Sequence, residues 1–280
     1  METQIIGKID FNEARLSEDI RTILGFEFSH LFQYYVFGDW ECCALWNKTG
    51  DKNYVFLEDY QSLVQPTELG IKVPYINEII QATFKLEYLK LARIFSVANN
   101  GLLAPHRDFI ELDKAFTRLH IPLQTNDLAY NSEDEHIYNL QKGEIWYLNA
   151  SHAHSAACFS KEKRLNLVLD FLPNIAIPDL FNNKSNYQLG LKPKEAIRTP
   201  LTKDYVQQLY MLSTIIDQYN FNDIVSLLSK VHFFKKVYLR SMFEWLAHIV
   251  QLNGDPELIQ RARLLEEACF EKRNAHSLSD

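Results

Sequence analysis

Three residues of this chain have the types and spacing to hold a metal. His106 and Asp108 lie in Ala104-Pro-His-Arg-Asp-Phe109, and a distant histidine comes from Ala150-Ser-His-Ala-His-Ser155. On an extended strand alternate side chains share a face, so His-x-Asp presents an imidazole and a carboxylate together. A second imidazole from another strand completes two nitrogens and one oxygen on one side of an ion. The opposite side stays open, which is the facial ligand set of non-haem Fe(II) oxygenases. His152 and His154 are two residues apart, and spacing leaves the choice between them open. Cys42, Cys43, Cys158 and Cys269 are too irregularly placed for a zinc site or a disulfide framework, and vicinal Cys42 and Cys43 read as strand core.

A second chemistry lies on two alternating strands. In Arg164-Leu-Asn-Leu-Val-Leu-Asp-Phe171 the residues Leu165, Leu167, Leu169 and Phe171 share one face, leaving Arg164 and Asn166 on the other. In Arg118-Leu-His-Ile-Pro-Leu123 the apolar face leaves Arg118 and His120 opposite. A buried guanidinium facing a cavity can grip a carboxylate through two parallel N–H bonds. Arg164 is therefore a candidate anchor for the distal carboxylate of 2-oxoglutarate, with Arg118 and His120 as a further clamp.

These side chains need strands to hold them, and up to about residue 172 the apolar residues do come in short β-like runs broken by turn signals. The expected strands are Gln4–Ile9, Trp40–Leu45, Tyr54–Leu57, Leu91–Val97, Phe116–Leu123, Glu144–Leu148 and Leu165–Phe171. Asn12–Leu24 and Val73–Phe84 read as helices. Residues 173–200, rich in proline, asparagine and lysine, read as a linker or long loop. Beyond it the period becomes helical over Thr202–Tyr219, Asn222–Lys230 and Ser241–Leu252. Gly254 then stops a helix, and Asp255-Pro256 starts a last one reaching about Lys272. The division expected is 1–172, 173–200 and 201–280.

A net charge of −7, with 47% hydrophobic and 23% charged residues, describes a soluble globular chain without the basic patch that nucleic-acid binding needs. No apolar run approaches the ~20 residues that span a bilayer, and the N-terminus has no signal-peptide pattern. The expected location is the cytoplasm, with neither membrane nor nucleic acid as partner.

Taken together, His106-Arg-Asp108, Phe116-Thr-Arg-Leu-His120, Gly143-Glu-Ile-Trp-Tyr-Leu-Asn-Ala-Ser-His-Ala-His-Ser155 and Arg164-Leu-Asn-Leu-Val-Leu-Asp170 resemble the aspartyl/asparaginyl β-hydroxylase family. The likeness is to its bacterial branch acting on free amino acids such as L-proline. The stretch through Trp40-Glu41, Pro74-Tyr-Ile-Asn-Glu78 and Leu228-Ser-Lys-Val-His-Phe-Phe-Lys-Lys-Val237 share it, so nearly the whole chain is covered. The resemblance implies an α+β fold, a double-stranded β-helix (jelly-roll) core with a C-terminal helical domain. It implies His154 rather than His152 as the distal iron ligand, Arg164 as the 2-oxoglutarate anchor, and Arg118 as a second pocket arginine. Members acting on protein domains have glycine where this chain has Asp108, which sets it with the small-molecule hydroxylases and against a halogenase.

The expected reaction is Fe(II)- and 2-oxoglutarate-dependent hydroxylation by O2, with ascorbate as reductant in vitro. L-proline would give cis-4-hydroxy-L-proline, succinate and carbon dioxide. For substrate, Arg93 in Leu91-Ala-Arg-Ile-Phe95 is the candidate carboxylate partner alongside Arg118, and Tyr35, Trp40 and Trp146 are candidate walls. Two other readings remain at this stage. One is the same chemistry on L-pipecolate, leucine or a lysine-like amino acid, and the other is a cupin-like protein whose metal is structural.

Overall fold

Alternation of period two builds the first part of the molecule. In the computed structural model, which describes residues 2–28, 35–112 and 114–271, the chain runs β1 (Gln4–Lys8), α1 (Glu13–Leu24), β2 (Val36–Asn47), β3 (Gln65–Pro66), α2 (Glu68–Lys72), α3 (Pro74–Thr83), β4 (Leu89–His106) and β5 (Thr117–Gln124). It continues through β6 (Ala129–Glu133), β7 (His136–Tyr138), β8 (Glu144–Tyr147), β9 (His154–Cys158) and β10 (Arg164–Phe171). The strands form one curled antiparallel sheet in the order β1-β8-β5-β10-β4-β9-β6-β7, with β2 laid along β4 and β3. This is the double-stranded β-helix core of an α+β fold.

The curl turns on β4. Its first part pairs with β10, Val97 facing Arg164, and its last part pairs with β9, His106 facing His154. Between them Asn99 and Asn100 adopt left-handed φ of 50° and 65°. A Cβ on Gly101 would sit 2.4 Å from the Asp39 carbonyl oxygen, so only glycine passes this corner.

The two faces of β10 divide the interior. Leu165, Leu167, Leu169 and Phe171 pack outward, in one cluster with Leu16, Ile76 and Ile80 from α1 and α3. Asn12 caps α1 by accepting from the Arg15 N–H. Buried Asp19 of α1 accepts the Ile76 N–H at 2.8 Å, which supplies α3 with the terminal acceptor that Val73 lacks.

The helical part comprises α4 (Lys203–Tyr210), α5 (Phe221–Phe234), α6 (Ser241–Asn253) and α7 (Pro256–Phe270), whose apolar faces join a cluster with the barrel residues Leu103, Ala156 and Cys158. Gly254, at φ 85°, ends α6, and Asp255 caps α7 ahead of Pro256. Lys272, the expected end of the last helix, lies outside the described residues. The helix expected over Thr202–Tyr219 stops at Tyr210 and tightens into a 3₁₀ turn, Met211–Thr214. There Asp217 and Asn220 bond each other's backbone and the Ile215 carbonyl, competing with further helix.

Of the expected strands, Tyr54–Leu57 does not form one. The Asn47 side chain takes the Asp51 and Tyr54 carbonyls, each at 2.7 Å, and holds the stretch as irregular backbone. Residues 173–200 are a strap rather than a free tether. Phe181 is buried and bridges to Phe84, Gln188 donates to Ile6, Ala196 donates to Ile137, and Arg198 gathers the carbonyls of His232, Lys235 and Val237. The described cysteines are free and buried. No helix among the described residues is long and apolar enough to cross a membrane.

Candidate metal and carboxylate site

The His106–His154 register places both imidazoles at the same end of the barrel, their ring centroids 4.3 Å apart. Asp108 lies just past β4 and arrives by a different device. Its N–H donates to the Ala150 carbonyl at 2.8 Å, and Phe109 behind it takes a left-handed φ of 64°, strained for an aromatic residue. His106 Nε2 lies 3.5 Å from one carboxylate oxygen and His154 Nε2 lies 3.4 Å from the other. The donor atoms of the three residues lie within 4.8 Å of one another.

Both imidazoles are held in the tautomer a metal needs. His106 Nδ1 is 2.8 Å from the Ala104 carbonyl and His154 Nδ1 is 2.9 Å from the His152 carbonyl. An oxygen acceptor there assigns the ring proton to Nδ1 and leaves the Nε2 lone pairs directed at Asp108. Tyr35 stacks on His106 at 4.6 Å and fixes the ring plane. Burial alone would raise the Asp108 carboxyl, but Arg118 beside it holds it well below the usual carboxylate range. Two imidazole nitrogens and a carboxylate fit a divalent ion of the iron class. His152 sits in the turn before β9, not on the strand, so it does not share His154's face. Its ring is half exposed and bonds Glu133 instead.

The three residues open into a cavity of about 270 Å³, lined also by Tyr35, Trp40, Arg93, Arg118, His120 and Arg164. Arg118 bonds Asp170 through Nε at 2.6 Å and reaches Asp108 through a terminal nitrogen. Arg93 bonds the other Asp170 oxygen at 2.8 Å and the Val55 carbonyl at 2.9 Å. Asp170, fully buried, is thus the keystone that the sequence reading passed over. Counting by twos along β10 from Arg164 and Asn166 reaches it on the same inward face.

Arg164 differs from its neighbours. It is 3% exposed, and it donates only to the Tyr130 carbonyl and the Asn131 side-chain oxygen. No carboxylate pairs with it among the described residues, and burial pushes it down to about 10. Burial, with Arg118 and Arg164 nearby, holds His120 well below its usual range and therefore neutral. Asn166 Nδ2 lies 3.4 Å from His120 Nδ1. Arg93 Nε, Trp40 Nε1 and Asn166 Oδ1 are buried without hydrogen-bond partners among the described residues.

Trp146 is the exception among the expected wall residues. It stands opposite His120 across β5–β8, but it is fully buried against Ile5, Tyr138, Leu140 and Leu148, and its N–H is taken by Glu144 at 2.7 Å. It braces the site from behind and does not reach the cavity.

Comparison with known proteins bears on this geometry. Residues 11–173 match the family model described as aspartyl/asparaginyl beta-hydroxylase, and residues 178–277 match that of the L-proline 3-hydroxylase C-terminal region. The chain is 38% identical over 266 residues to L-proline cis-4-hydroxylase of Rhizobium meliloti (strain 1021), covering 95% of each chain. It is 33% identical over 276 residues to L-proline cis-3-hydroxylase 1 of Streptomyces sp., covering 95% of this chain and 94% of the relative. Among solved structures, a 2OG-Fe(II) oxygenase family oxidoreductase from Burkholderia pseudomallei superposes with a TM-score of 0.41 at 10% identity, over 57% of this chain and 80% of that one.

Proposed function

Because the chain belongs to the aspartyl/asparaginyl β-hydroxylase family, we propose that it is an Fe(II)- and 2-oxoglutarate-dependent hydroxylase of free L-proline, forming cis-4-hydroxy-L-proline with succinate and carbon dioxide. The observation that carries the cosubstrate is Arg164, a buried cation without a counter-ion among the described residues, in the same cavity as the His106, Asp108 and His154 donors. The relatives named as proline cis-hydroxylases, matched end to end, support the substrate.

In this reading His106, Asp108 and His154 hold the iron, which when bound supplies O2 activation coupled to 2-oxoglutarate decarboxylation. Arg164 grips the distal carboxylate of 2-oxoglutarate, its planar fork already aimed by Tyr130 and Asn131. Neutral His120 adds a hydrogen bond without a competing charge. The Asp170 pair holds Arg93 and Arg118 rigidly across the cavity, where the amino-acid carboxylate docks. Buried donors left unmade cost about 1–3 kcal/mol each. The free Arg93 Nε–H and Trp40 Nε1–H are therefore assigned to that carboxylate. Tyr35, Trp40 and Phe95 close apolar walls around the ring and exclude water.

The test incubates the protein with iron, 2-oxoglutarate and ascorbate against a panel of free amino acids, followed by mass spectrometry and chiral chromatography. Proline-dependent succinate together with cis-4-hydroxyproline is expected. The cis-3 isomer would keep the substrate and overturn the position. Turnover of pipecolate or an acyclic amino acid without proline would leave only the dioxygenase assignment.

A further inference from the structure

His152 competes with His154 as a ligand in the sequence, and the structure gives its ring another partner. Glu133 pairs with His154 across β6–β9. Its side chain is only 13% exposed, and one oxygen lies 3.1 Å from His152 Nδ1. The other oxygen accepts the Thr3 hydroxyl, and Thr3 Oγ1 accepts the Asn149 N–H at 2.8 Å. One carboxylate therefore ties both ends of the turn that leads into β9. The His152 carbonyl produced by that turn is what accepts from His154 Nδ1.

We propose that Glu133 is a positioning residue for the metal site, acting through His152 to hold the carbonyl that orients His154. The need is local to this histidine. The corresponding acceptor for His106 is the Ala104 carbonyl, inside β4, where the Ala104 N–H is pinned to the Tyr35 carbonyl at 2.7 Å. The His152 carbonyl sits outside any ladder, so side chains must fix it. Without Glu133 the turn can rotate, His154 loses its Nδ1 acceptor, and the fraction of rings presenting Nε2 as a lone pair falls.

The inference rests on His154 being a metal ligand, and the experiment separates the two. Anaerobic Co(II) titration, read by visible ligand-field absorption, is run on the wild type, Glu133→Ala, Glu133→Gln, His152→Ala and the Glu133→Ala/His152→Ala double variant. Urea unfolding without metal accompanies each. Outer hydrogen-bond partners of ligands are worth about ten- to hundredfold in metal affinity, and a loss of that size is expected for Glu133→Ala. Gln can still accept from His152 and donate to Thr3, so Glu133→Gln should bind within about threefold of wild type. The double variant should be no worse than the poorer single variant, since both cut one chain. Wild-type affinity in Glu133→Ala overturns the relay, as do additive losses or a loss that simply follows metal-free stability. A second equivalent of Co(II) that Glu133→Ala abolishes also overturns it, making Glu133, Asp134 and His152 a metal site themselves. Absent binding in the wild type, or undiminished binding in His154→Ala, would sink the underlying metal assignment instead.

Discussion

The two walls of the cavity handle buried charge in opposite ways. On one side Arg93 and Arg118 share Asp170, and Arg118 also reaches Asp108, so each buried guanidinium faces a carboxylate. On the other side Arg164 is as deeply buried and, among the described residues, bonds only a backbone carbonyl and an amide. The first arrangement is balanced in charge before any ligand arrives, with the Arg93 Nε–H left over for one. The second is complete only when an anion enters. A rigid, compensated wall suits orientation of a small zwitterion, while an uncompensated cation suits capture of a dianion. The triad lies where the walls meet, with Asp108 belonging to both the metal set and the arginine network.

The largest effect should come at that junction. At saturating iron, His154→Ala is expected to abolish turnover, whereas His152→Ala should retain it, because of these two it is His154 that presents Nε2 to Asp108. Succinate release assays on the two variants decide this, and the reverse pattern would move the ligand by two residues. Next comes the compensated wall. Asp170→Asn keeps the shape but strips the shared counter-charge from two buried arginines, and breaking such a pair costs about 3–5 kcal/mol. Urea unfolding of the metal-free protein should show it, and a variant as stable as wild type would mean that the network carries no such load. On the open wall Arg164→Lys keeps the charge and loses the fork. Affinity for 2-oxoglutarate should fall by about 1–3 kcal/mol, roughly five- to 150-fold. Metal-free stability should fall less than in Asp170→Asn. If Arg164→Lys unfolds as readily as Asp170→Asn and binds 2-oxoglutarate normally, the contrast between the walls is wrong.

The sequence exposed one wall better than the other, for a physical reason. Arg164 and the His-x-Asp pair are read directly from alternation on strands whose other face is strongly apolar, and long-period helices such as α6 and α7 announce their own caps. Asp170 lay on the same alternation but at the far end of the strand, where pairing with two arginines depends on which strands are neighbours. That is a matter of sheet order, set by the crossovers of the barrel. Strands β6 and β9 escaped because Ala129-Tyr-Asn-Ser-Glu133 and His154-Ser-Ala-Ala-Cys158 are small and polar. Their faces turn toward the cavity and the helices rather than a greasy core. Trp146 misled for the opposite reason: strand parity puts it on the inner side with His120, and only the packing of Tyr138 and Leu148 over it shows that it lies behind the cavity.

The smallest expected effect is on pH, and it can tell the open wall from the rest of the molecule. Burial, with Arg118 and Arg164 beside it, keeps His120 neutral in the folded state well below the ordinary imidazole value of about 6.5. In the helical part, burial and Arg198 push His232 down to about 3. Below about pH 6.5 the unfolded chain therefore takes up protons that the native state refuses. The stability these histidines contribute is full above that pH and is lost as pH falls, by at most about 1.4 kcal/mol per pH unit for each. Urea unfolding between pH 7.5 and 5 should show His120→Gln and His232→Gln each flattening the acid slope by up to one proton. Adding 2-oxoglutarate places negative charge beside Arg164 and opposes its repulsion of His120. The ligand should then reduce the His120 share of the slope and leave the remote His232 share unchanged. Equal sensitivity of the two shares to 2-oxoglutarate would place the dianion away from Arg164 and remove the distinction between the walls.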